Sequence, residues 1–156
     1  MPLNLLEFYI ILECLELDNT KAIWLEDESH SIGSNWIPQE FFNLMRKAPV
    51  LKMELPKSER IKRLVNEYAG FDVKYLEECV LKIGKRLGGQ HVKAALESLQ
   101  KGQLDTVADI TLTYYDKSYN FGLNQRTNNT VYPIALEADN PEKNAEILIE
   151  FAQKNI

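Results

Sequence analysis

The chain has 156 residues, with 18 Lys plus Arg against 23 Asp plus Glu, and 45% hydrophobic and 10% aromatic content. These proportions belong to a globular domain with its own core and exclude disorder, collagen and a disulfide-stapled miniprotein. No run approaches the ~18 apolar residues of a membrane span, and no basic stretch leads into an apolar signal segment, so the cytoplasm is the expected compartment.

Residues 3–17 place Leu5, Leu6, Tyr9, Ile10, Leu12 and Leu15 near helical spacing, with Glu7, Glu13 and Glu16 between them, which predicts an amphipathic helix ended by Asn19. AIWLE at 22–26 reads as a buried parallel strand that opens into a polar loop over 26–36. Pro38 opens a helix with Phe41, Phe42 and Met45 on one side, Ala48-Pro49 stops it, and VLKMEL at 50–55 is a second strand. After Pro56, Ser58 is the expected N-cap of a helix through Tyr68, ended by Gly70. Asp72 caps a third helix carrying Leu76, Val80, Ile83 and Leu87 up to the Gly88-Gly89 pair. Further helices are expected at 90–101 and about 103–115, followed by an Asn-rich polar stretch at 120–129. TVYPIAL at 130–136 is a third strand, which Pro133 confines to an edge or a strand end. Asn140-Pro141 is an N-cap and N1 pair for a last helix over 141–154. Strands separated by helices predict an α/β sheet of about three strands with a helical insert at about 70–120. No repeat or linker divides it, so one domain is expected.

Ligands of open α/β sheets sit at the carboxyl ends of strands, and the first expected strand ends in Glu26-Asp27-Glu28. Carboxylates there suit the Walker B position, which holds the Mg²⁺ that bridges nucleotide phosphates; an acidic loop that keeps a strand end solvated is the alternative. None of the seven glycines begins a GxxxxGK[ST] loop, so the carboxylates have no phosphate cradle beside them. Charge is uneven within the net −5: residues 1–40 carry eight acids and one base, whereas 46–63 carry seven bases and two acids. Arg60 and Arg63 in that basic segment, and Lys85-Arg86 ahead of the glycine pair, are the candidates for contact with phosphates, including those of a nucleic acid, with plain surface decoration as the alternative. Tyr114, Tyr115 and Tyr119 are either core packing or a surface for stacking bases. Cys14 and Cys79 lack metal or redox spacing and are expected as buried free thiols, and His91 reads as a surface residue. Ser29, His30 and Asp27 are too close in sequence to form a catalytic triad.

The segment IWLEDESHSIGSNWIPQEFFNLM, 23–45, resembles the C-terminal half of tRNA 2-selenouridine synthase, with its EDES signature and Pro-led helix. The resemblance continues through Ala48-Pro49, RIKRLVNEY at 60–68, KRLGG at 85–89 and YYDKSY at 114–119, and the surroundings of Phe8 look like the helix that precedes the signature strand. It departs at His30, where the family pattern has Arg, so a fixed charge and a guanidinium fork are lost there. The resemblance implies an enzyme that replaces sulfur by selenium at the wobble 2-thiouridine of tRNA, with selenophosphate as donor and a geranylated intermediate. It also implies a rhodanese domain with the reactive Cys, which neither Cys14 nor Cys79 matches, joined to a P-loop domain. The chain then reads as the C-terminal part of that domain, an incomplete P-loop-kinase-like parallel sheet lacking the rhodanese domain and the Walker A segment. In this reading Glu26 and Asp27 help hold Mg²⁺ and a nucleotide in the complete enzyme, while no cofactor is expected on the chain alone. The expected partners are tRNA in the complete enzyme, a separate chain carrying the rhodanese and Walker A part, and a second copy in a homo-oligomer; no membrane is expected. The isolated chain is expected to be inactive. A non-catalytic module that docks on tRNA or on the missing half, and a stand-alone NTPase with an unusual cradle, are the other readings.

Overall fold

The computed structural model describes residues 13, 15–18, 20–27, 29–33, 35–126 and 131–156. They divide into two compact units, one from 1–50 with 126–130 and the other from 51–125 with 131–156.

In the first unit, Ser31–Ile32 (β1) and Asn35–Trp36 (β2) form an antiparallel hairpin with Ser31 opposite Trp36 and Ile32 opposite Asn35. The Ile37 N–H donates to the His30 carbonyl at 2.9 Å, and the His30 ring lies 4.8 Å from Phe42 and 5.2 Å from Trp36. Helix α1, Gln39–Lys47, follows Pro38, whose φ of −51° is already set for helix entry. Glu40 in its first turn and Arg46 and Lys47 in its last complement the helix dipole. The chain leaves it at Ala48 with ψ 152°, the extended geometry that a following proline imposes. The loop expected over 26–36 thus contains a hairpin.

The strand expected at 22–26 is absent: residues 22–27 carry no regular secondary structure, and Ile23, Trp24 and Leu25 are 51%, 52% and 56% exposed. A strand is defined by the neighbour that satisfies its N–H and C=O groups, and an apolar run does not supply one. Among the described residues of this unit the β1–β2 hairpin is the only ladder. The helix expected over 3–17 falls mostly outside the described residues, although Glu13, Leu15 and Glu16 are helical.

The second unit holds a small parallel sheet of Val50–Glu54 (β3), which starts at the boundary, and Val131–Ala135 (β4). The Leu136 N–H donates to the Glu54 carbonyl at 3.0 Å. Pro133 is accommodated because each strand of a two-stranded sheet keeps an open edge. Behind it, Tyr132 packs on Phe151 of helix α7, Pro141–Asn155, and Asn140 caps that helix through its side-chain oxygen on the Lys143 N–H at 3.0 Å.

The remaining helices are α2 (Lys57–Tyr68), α3 (Val73–Lys82), α4 (Gly84–Leu87), α5 (Gly89–Gln100) and α6 (Leu104–Asn124). Val80, Leu87, Ala95 and Leu99 form the buried core of this helical group, with Leu76, Val92, Leu96 and Val107 packed around it. Asp72 caps α3 as its position predicts, accepting from the Lys74 and Tyr75 N–H groups.

Three boundaries differ from expectation. Helix α2 starts at Lys57 behind Pro56, so Ser58 lies inside its first turn and caps nothing. The helix expected from Asp72 to Gly88 breaks after Lys82 and resumes as α4; a Cβ on Gly84 would stand 3.3 Å from Val92, so the break lets α5 approach closely. Helix α6 runs to Asn124 instead of stopping near 115, because a few weak helix formers cost only about 0.5 kcal/mol each in a helix already packed along its length. The described residues thus form a mostly helical α/β structure with seven helices and a two-stranded parallel sheet, consistent with an incomplete P-loop-like fold.

Candidate functional site

Asp27 is the carboxylate of the acidic triplet whose surroundings are clearest. Its Oδ1 is bound by the Arg126 guanidinium and lies 3.6 Å from Arg46 Nη1. The same Arg126 reaches the open carbonyls at the end of α1, donating through Nη1 to Arg46 at 3.1 Å and Ala48 at 3.1 Å. One side chain therefore ties the segment after Leu25 to the C-terminus of a helix, where a cation is favoured by the dipole. Only 3% of the Arg126 side chain is exposed, and its Nε has no partner, so its burial relies on Asp27.

This arrangement does not fit a magnesium site, because a divalent cation on Asp27 would face two guanidinium groups. Glu26 is exposed, Glu28 lies outside the described residues, and no three metal-ligating side chains converge among the described residues. Sequence reasoning missed Arg126 altogether; its only signal is a lone cation in an otherwise neutral Asn-rich stretch.

In the helical unit, the basic face of α2 meets acids. Arg60 forms a two-pronged pair with Asp116 at 2.6 and 3.0 Å, Lys57 sits 2.6 Å from Asp109, and Arg63 is 3.0 Å from Asp139. Spaced three residues apart, these cations form one stripe of α2, and two of them grip α6. The Arg60 contact raises the guanidinium pKa and lowers that of the Asp116 carboxyl, in both cases chiefly through the shared hydrogen bonds. Arg60 and Arg63, expected near phosphates, thus hold carboxylates.

The tyrosines of α6 differ in their surroundings, although the Tyr114 and Tyr115 rings lie 5.0 Å apart. Tyr115 and Tyr119 line an apolar cavity of about 490 Å³ together with Tyr68, Tyr75 and the free thiol of Cys79, with Arg60 and Asp116 in its wall. Burial, the largest cause, pushes the Tyr115 phenol up. Tyr114 instead accepts a 3.4 Å hydrogen bond from Arg86, an exposed residue of α4 whose pKa this contact raises. Lys85 beside it is also exposed. Of the seven candidates for phosphate contact or base stacking, Arg86 and Tyr114 are therefore brought together, while Arg60, Tyr115 and Tyr119 line the apolar cavity. Cys79 is half-buried, and Cys14 lies outside the described residues.

Comparison with known proteins places this geometry in context. A family model described as the tRNA 2-selenouridine synthase AAA domain matches residues 6–138. Among curated proteins, the tRNA 2-selenouridine synthase of Shewanella sediminis is 30% identical over 141 residues, covering 72% of this chain and 38% of that protein. The namesake proteins of Shewanella woodyi and Shewanella oneidensis are both 31% identical, with 72% and 74% of this chain and 38% of each relative covered. The chain thus spans about 38% of the length of these relatives. No solved structure matches. Among the described residues, no helix is long and apolar enough to cross a membrane.

Proposed function

The chain belongs to the tRNA 2-selenouridine synthase AAA-domain family, and from that premise we propose that it works as part of an enzyme that replaces sulfur by selenium at the wobble 2-thiouridine of tRNA, with selenophosphate as donor. The observation that carries this reading is the family match over residues 6–138, which takes in both the EDES and the YYDKSY blocks. The chain supplies tRNA-facing cations and no chemistry of its own. Lys85 and Arg86 are the phosphate contacts, joined by Arg63 through the exposed part of a guanidinium that also holds Asp139, whereas Arg60 contributes by fixing α2 on α6 through Asp116. Asp27 anchors Arg126, and any metal contact by Glu26 and Asp27 in the complete enzyme requires Asp27 to exchange that partner. The 156 residues hold no Walker A loop, so purified protein is expected to hydrolyse neither ATP nor GTP above background.

A second reading, a docking module without catalytic duty, is favoured by the Asp27–Arg126 pair, since a carboxylate so engaged is not presented to a nucleotide. One experiment separates them: tRNA nucleosides are digested and weighed from cells lacking their own synthase that express this chain, with or without a chain bearing the rhodanese domain and Walker A segment. The proposal expects 2-selenouridine only with both chains. No product in either arm, with tRNA still bound, leaves the docking module; product from the chain alone overturns the proposed inactivity.

A further inference from the structure

A second cavity of about 450 Å³ opens beside α6, on the face that carries Tyr114, and its lining differs in kind from the apolar cavity behind Tyr115. Arg86, His91 and Lys117 line it and no carboxylate does, in a chain whose net charge is −5. Hydroxyl groups come from Thr113, Tyr114 and Ser118, and the apolar wall from Leu87, Ile110 and Phe121. Both the size and the mixture suit a small ligand, since ligand pockets run from about 300 to 1,000 Å³ and pair an apolar wall with a few polar groups.

The elements explain why these groups meet. Arg86 stands in α4, the single turn that follows the break after Lys82 and that Gly88, at φ 91°, ends in a conformation an L side chain rarely adopts. His91 lies at the start of α5, and Lys117, Ser118 and Phe121 lie along α6. The Tyr114 contact uses one of the five guanidinium N–H donors of Arg86. Phe121 is 68% exposed, so the face of its ring is open to a ligand in the cleft.

We propose that this cleft binds one unpaired nucleotide of an RNA strand, with the phosphate held by Arg86 and Lys117 and the base stacked on Phe121. This rests on the tRNA reading above and deepens it by assigning the contact. Guanidinium and ammonium groups without an opposing carboxylate suit a phosphodiester, and an exposed aromatic ring beside them accepts any base through its π-face. His91 and Ser118 add hydrogen-bond capacity toward the sugar-phosphate. An unpaired nucleotide is required because bases in an A-form helix are stacked inside it and cannot reach Phe121.

The test is fluorescence anisotropy of the full chain with a fluorescein-labelled octauridylate, an RNA duplex of equal length and an unlabelled whole tRNA as competitor, from 50 to about 200 mM salt. The proposal expects the single strand to bind more tightly than the duplex. Arg86→Gln with Lys117→Gln should weaken it at least tenfold and reduce the salt slope by about 1.4, two contacts at about 0.7 each for single strands. Phe121→Ala should weaken binding about 5- to 100-fold with the slope unchanged. Lys93→Gln with Lys101→Gln, cations outside the cleft, is the control and should lose less than threefold; circular dichroism verifies that each variant is folded. Equal loss in the control and the cleft variant overturns the proposal, as does a duplex bound as well as the single strand. Complete displacement by 10 mM inorganic phosphate would reduce the cleft to a free-phosphate site. If tRNA binds but ignores the cleft variants, only the cleft assignment falls; if no RNA binds at low salt, the tRNA reading of this chain falls with it.

Discussion

The two units are held together by different physics. In the helical unit, Val80, Leu87, Ala95 and Leu99 exclude water from one another, and charge pairs such as Arg60–Asp116 sit at the periphery. In the first unit, Ile37 is the only buried apolar residue among those described, while Trp24, Leu25, Trp36 and Leu44 are more than half exposed. Its order rests on a polar node, Asp27–Arg126 and the carbonyls that end α1. A core of interchangeable methyl groups tolerates loss by degrees; a node built on one buried guanidinium does not.

Substitutions in each unit sharpen the contrast, beginning with the largest effect. Leu99, only 2% exposed, is the most deeply enclosed large side chain, and Leu99→Ala should cost about 2–5 kcal/mol, read as a lower urea midpoint for the helical signal at 222 nm. Arg126→Met should cost the first unit about 3 kcal/mol, because it leaves three helix-end carbonyls without their donor and Asp27 with Arg46 alone. Both tryptophans, Trp24 and Trp36, belong to that unit, so their emission reports the change while the 222 nm midpoint stays in place. A matching shift in the 222 nm midpoint would contradict the separation of the two units.

The smallest effect is expected at Asp116, where both partners are about a third exposed and solvent screening holds the pair to less than about 1 kcal/mol. Its pH dependence has a definite sign. The folded carboxyl has a lowered pKa, so its contribution is complete above the unfolded value of about 3.9 and disappears as pH falls through the folded value. The melting temperatures of the parent and of Asp116→Asn should therefore differ at pH 7 and converge as pH falls below the ordinary aspartate range. A constant difference would mean that Arg60 is not the cause of the lowered pKa.

Much of the helical unit was legible in the sequence because its signals are local. Asp72 and Asn140 cap the helices their positions predict, and the apolar repeat through Leu76 and Val80 finds the core. The break at Gly84 was not legible, since it depends on the approach of Val92 from the next helix. Nor was the absence of a strand at 22–26, where composition indicates an apolar run and pairing is decided elsewhere in the chain. The charge clusters show the same limit. Arg60 and Asp116 are 56 positions apart and Asp27 and Arg126 are 99 apart, so a sequence shows the cations without the carboxylates that hold them. Arg86 was recognisable as a candidate from its place before a glycine pair, yet its neighbours Lys117 and Phe121 are brought to it only by the packing of α4 on α6.

Native-state hydrogen exchange followed by peptide mass analysis tests the contrast most directly, because it reads the opening free energy of each segment separately. Amides of α3, α5 and α6 around Val80, Ala95, Leu99 and Leu112 should exchange only through global opening, and Leu99→Ala should accelerate all of them together. Amides of 20–27 and 35–37 should exchange orders of magnitude sooner and be accelerated further by Arg126→Met but not by Leu99→Ala. Equal protection of the two sets, or a common response to either substitution, would show a single cooperative body and contradict the account.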